Sequence, residues 1–102
     1  MKRIGGKELD AFRHGLFVND VQVLFMPKEE KDFNHREVVW VRLKEQIESC
    51  VFKGELLNDF LVPGMFNGLE KGELVLMLLS DGVLIGLPLH EQDNSLFSFK
   101  KK

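Results

Sequence analysis

Three histidines, one cysteine and sixteen carboxylates are the side chains of this chain best suited to hold a metal or attack a bond. His14, His35 and His90 fall in three separate segments. None has the His-x-x-x-His or Glu-x-x-His spacing that sets two ligands on one helix face. Isolated histidines of this kind are solvated or capping residues, so neither metal nor cofactor is expected. Cys50 would need one of those histidines as a base to act as a nucleophile. The alternation of Val51-Phe52-Lys53-Gly54-Glu55-Leu56 instead puts Cys50 on the face of Phe52, Gly54 and Leu56. A thiol there is a small buried hydrophobe, and Cys50 is expected to be shielded and inert. Glu45, Glu48, Glu55, Glu70 and Glu73 belong to exposed strand faces and turns. No serine elbow, phosphate-binding loop or dinucleotide fingerprint accompanies them. The reading leans away from an enzyme.

A different kind of site is suggested by Asn58 to Asn67, where Phe60, Leu61, Val62, Met65 and Phe66 crowd a stretch that Pro63-Gly64 marks as a loop. So apolar a loop either folds over the core as a lid, the favoured reading, or offers a patch to a partner. In the second case Asn58, Asp59 and Asn67 form its polar rim and are the candidate partner-binding residues. Charge points the same way. Residues 37–99 carry four basic and ten acidic side chains, whereas residues 1–36 carry seven and six. An acidic sheet repels phosphate backbones, which disfavours nucleic acid, and suits a basic protein partner.

These residues must be held by a small scaffold. Gly6 to His14 reads as a short helix with Leu9 and Phe12 on one face and Gly15 as its left-handed stop. Val21–Phe25, Glu37–Lys44, Cys50–Leu57, Leu74–Leu79 and Val83–Leu87 read as strands, with Asp81-Gly82 as a hairpin turn and Leu96–Phe99 as a further edge. Lys28–His35 is a polar loop or a single helical turn. The expected fold is α+β. The short N-terminal helix packs on a bent antiparallel sheet of about five strands, or on a half-open small barrel. Trp40, on a mixed strand face, is expected to be buried beneath Leu9 and Phe12 of that helix.

Glu37 and Trp40-Val41, then Phe52, Gly54, Leu56 and Asn58, then Gly68-Leu69, Gly72 and Val75 together resemble the DUF2314 family, small bacterial proteins of unknown function that include YegJ-like proteins. The resemblance spans about forty residues and implies a fold, not an activity. At 102 residues there is room for one domain, and the longest apolar run, Leu74 to Leu79, is far short of a membrane span. A lone cysteine and the absence of a signal-type apolar core after Met1-Lys2-Arg3 fit the cytosol. The function expected is a small non-catalytic binding module of the bacterial or phage accessory or immunity type, working through protein–protein contact. The alternative is a small-molecule binder or small enzyme with its pocket between helix and sheet. His14, His35, Cys50 and carboxylates gathered in one cleft would favour that alternative, and their dispersal the first.

Overall fold

Alternating apolar residues in β1 (Asp20–Phe25), β2 (Glu37–Glu48) and β3 (Val51–Leu56), and nearly continuous apolar runs in β4 (Leu74–Ser80) and β5 (Val83–Pro88), give the five strands of the described residues. The computed structural model describes residues 3–88; His90, the Leu96–Phe99 segment and the terminal lysines lie outside them. Each strand pairs antiparallel with the next, and β5 returns to β1 to close a barrel. A meander of five strands that closes on itself must bring its first and last strands together in the same direction. The β1–β5 seam is accordingly parallel, and short: Leu24 opposite Ile85 and Phe25 opposite Gly86.

The inward residues fill the barrel. Val21, Val23 and Phe25 of β1, Val39, Val41 and Leu43 of β2, Phe52 and Leu56 of β3, Val75 and Met77 of β4, and Leu84 of β5 are all buried. A five-stranded barrel is narrow enough for side chains alone to occupy it. Two glycines let the walls approach. A Cβ at Gly54 would lie 2.6 Å from Val41 Cγ1 and 2.7 Å from the Arg42 carbonyl, and one at Gly86 would lie 2.2 Å from the Phe25 ring.

Both mouths are stopped. At the end where β1 begins, the N-terminal segment inserts Leu9, fully buried, with Ile4 and Phe12 packed against the core. At the other end, the β3–β4 crossing turns Phe60, Phe66 and Leu69 inward. Phe60 stacks on Phe66 at 4.2 Å and meets Phe25 edge-on at 5.1 Å. The crossing is tied to the β1–β2 connection by the Lys28 N–H donating to the Met65 carbonyl at 2.8 Å.

The expected α+β fold is corrected by this arrangement. The protein is a closed β-barrel, and its helical content among the described residues is three short 3-10 segments, Lys7–Phe12, Glu30–His35 and Pro63–Phe66. The N-terminal helix fails for local reasons. Gly6 offers no side-chain cap, six residues are too few to offset helix nucleation, and Arg13 is already extended and bridged to Val21. The Arg13 guanidinium donates to the carbonyls of Ile4, Gly6 and Val18, holding the segment as a coil around itself. Gly15 therefore caps nothing.

Two further expectations change with the fold. Trp40 is half-buried on the outer wall, opposite Gln22, and its ring meets His14 rather than Leu9 or Phe12, which point into the barrel. Cys50 is exposed. β2 runs four residues past Lys44 through two bulges, so Glu48 pairs with Val51 and the reversal tightens to Ser49-Cys50. Cys50 thus sits in the turn, one residue before the alternation begins. The Asp81-Gly82 turn is as expected: both residues have positive φ, 53° and 77°, the geometry of a two-residue type I′ hairpin.

Candidate functional site

Among the described residues, His14, His35 and Cys50 are dispersed over the barrel. His14 is on the outer wall beside Trp40, His35 ends the 3-10 segment at the far mouth, and Cys50 is in the turn at the near mouth. Among the described residues no three of His, Cys, Asp and Glu gather as a metal site would require, and no helix is long and apolar enough to cross a membrane.

What the fold does assemble is a crown at the mouth where β2 and β4 begin. The β3–β4 crossing divides its apolar residues between two jobs. Phe60, Phe66 and Leu69 close the core, which is the lid that the composition suggested, while Leu61 and Val62 face outward at 87% and 47% exposure. Val38, 58% exposed at the start of β2, and Phe33 in the β1–β2 connection lie at the same end. Leu61 is held in this position. Its backbone N–H donates to both carboxylate oxygens of Glu37 at 3.1 Å, so the main chain is anchored and the side chain projects.

The three rim residues all lie on this crossing, each with a structural partner. Asn58 Oδ1 accepts the Trp40 backbone N–H at 2.9 Å, and the Leu57 N–H donates to the Trp40 carbonyl, extending the β2–β3 ladder into the loop. Asp59 Oδ1 accepts the Lys71 N–H at 2.8 Å, joining the two ends of the crossing. Asn67 adopts the left-handed conformation, φ 62°, that ends the Pro63–Phe66 turn, after which the Gly68 N–H returns to the Pro63 carbonyl. Sequence reasoning missed Glu37 as a member of this group. Its only signal was an acidic residue at the first position of a strand, which carries no specificity.

Charge is distributed unevenly between wall and crown. On the wall, the outward cations of β2 and β3 are matched: Arg42 donates to both oxygens of Asp20 at 2.8 and 3.1 Å, Lys44 pairs with Glu55, and Lys53 with Glu45. At the crown, Glu37, Asp59 and Glu73 accept backbone N–H groups and are in no ion pair among the described residues. Glu70 joins them, and Lys28, Arg36 and Lys71 are the counter-charges at this end. The expected acidic sheet is therefore close to balanced on β2 and β3, and acidity is concentrated around the loop. A separate row, Leu76 and Leu78 of β4 against Leu87 and Ile85 of β5, is apolar and uncharged, with Leu76 buried.

Comparison with protein-family models, curated proteins and solved structures returned no match.

Proposed function

We propose that this protein is a small non-catalytic binding module of the cytosol that engages a basic protein partner through the crown of the β3–β4 crossing. One observation carries the reading: Leu61, 87% exposed, is held outward by a carboxylate on its own amide, with unneutralised acids around it. An apolar centre within a polar, net-acidic rim is the composition of a protein-contact patch. Leu61 and Val62 supply the centre, and Glu37, Asn58, Asp59 and Asn67 the rim. The scattering of His14, His35 and Cys50 supports contact over catalysis. The alternative, a pocket between helix and sheet, has less to support it, since the N-terminal segment puts Leu9 into the barrel mouth. The resemblance to the DUF2314 family is kept as a proposal about ancestry; it adds no activity.

The test uses short Lys/Leu peptides, with Glu/Leu peptides as controls, titrated into labelled protein while amide shifts are followed. Basic peptides should move the amides of residues 58–67 and release at high salt. Leu61→Asp should abolish the response without unfolding the domain, because that side chain packs on little. Asp59→Lys is the less clean variant, since it also removes the acceptor of the Lys71 amide. Equal response to both peptide classes, or shifts confined to other residues, would place the contact elsewhere.

A further inference from the structure

The imidazole of His14 is fixed by three neighbours on the outer wall. Its Nδ1 accepts the Leu16 N–H at 2.9 Å. Its ring lies 5.2 Å from Phe17, tilted, and 5.2 Å from Trp40, edge-on. Residue 14 is anchored to β1 through its own N–H, which donates to the Asp20 carbonyl at 2.8 Å. The chain then leaves the sheet as Leu16, Phe17 and Val18, exposed to 81%, 52% and 37%.

A side-chain acceptor for the amide two residues on is the arrangement that Asn or Asp makes in an Asx turn. Imidazole can take that role only while Nδ1 carries no proton, because the imidazolium has donors at both nitrogens. Two N–H groups would then face each other across the 2.9 Å now spanned by a hydrogen bond. The charged groups on the elements packed around the ring are already engaged. Arg13 donates to Asp10 and to the Ile4, Gly6 and Val18 carbonyls, the Asp20 carboxylate is held by Arg42, and Glu55 on β3 pairs with Lys44. Trp40, Gln22 and Phe17 bring no charge.

We propose that His14 is a proton-operated latch on the Leu16–Phe17 segment. Neutral, it holds the Leu16 amide and keeps Phe17 and Trp40 on either side of its ring. When Nδ1 takes a proton from solvent, the Leu16 bond is lost, the ring turns, and the Trp40 edge opens to water. The Phe17 and Val18 carbonyls keep their partners, the Asp20 N–H and Arg13, so the change is confined to Leu16 and the ring contacts.

The experiment is a pH titration of the labelled full chain, following the His14 ring, the Leu16 amide and Trp40 emission together. As pH falls through the range in which imidazoles protonate, Leu16 should exchange about two- to tenfold faster after correction for intrinsic rates, the loss expected for one hydrogen bond. Its midpoint should match that of the ring. His14→Asn keeps an acceptor near the Nδ1 position and should hold Leu16 protected at every pH. His14→Phe keeps an aromatic ring without the acceptor and should leave Leu16 unprotected at every pH. The latch is overturned by a Leu16 amide that ignores the protonation of the ring, or by an Asn variant that retains the pH response.

Discussion

Two arginines show how much one side chain can organise in a domain of this size. Arg13, with its side chain only 6% exposed, holds three carbonyls and the Asp10 carboxylate, and so substitutes for the helix that the N-terminal segment does not form. Arg42 closes on both oxygens of Asp20 and fixes the start of β1 against β2, the bidentate geometry that lysine cannot supply. Asp10 is where this organisation becomes pH-dependent. Hydrogen bonds from Arg3 first, and from Arg13 second, hold its carboxyl below the usual aspartate value. A carboxyl depressed in the folded state adds stability that is present above the unfolded value and lost as pH falls through the folded one. Asp10→Asn should therefore lower the denaturation midpoint at neutral pH, and the gap to wild type should narrow below about pH 4. A gap of constant size from pH 7 to pH 2.5, as measured by urea titration, would mean that the arginines do not act through this charge.

At the level of elements, the β3–β4 crossing is both closure and display, and substitution should separate the two. Phe66 is buried against Phe60 in a 10° stack, so Phe66→Ala should cost about 3–5 kcal/mol in chemical denaturation. Leu61→Ala, a few residues away, should stay within about 0.5 kcal/mol of wild type. Equal losses would show that Leu61 is structural and remove the basis for the crown as a contact surface. The two roles were only half legible in the sequence. Apolar composition between turn residues marked the stretch as a lid or a patch, but which residues turn inward depends on where the barrel mouth lies. The strands were legible because inward residues alternate; β1, β3, β4 and β5 fall within a residue or so of their expected limits. β2 is legible only to Lys44, because a bulge breaks alternation there, and the same bulge shifts Cys50 out of the strand into the turn. The N-terminal segment is ambiguous in sequence because Leu9 and Phe12, three apart, satisfy a 3-10 turn as well as one turn of α-helix.

Across the whole molecule, closure resolves the ambiguity that an open sheet would leave, since a barrel has no edge strands to protect. The seam is nevertheless its shortest line of pairing. β1 and β2 are paired over six residues, from Asp20 to Phe25, whereas among the described residues β1 and β5 share only Leu24 with Ile85 and Phe25 with Gly86. Gly86 is essential to that contact, for the Phe25 ring lies over its Cα where any side chain would stand. The barrel should open first along this line. In native-state hydrogen exchange, amides bonded across β1–β5 should exchange through a sub-global opening, at lower free energy than those of the β1–β2 ladder. Gly86→Ala must displace the Phe25 ring, at a cost of about 1–3 kcal/mol for overpacking. The loss should fall first on seam amides, with β2–β3 protection following only as global stability declines. If seam and ladder amides exchange at one common free energy in wild type, and Gly86→Ala lowers both together, the barrel opens only by unfolding completely and the two-residue seam is as strong as the rest of its wall.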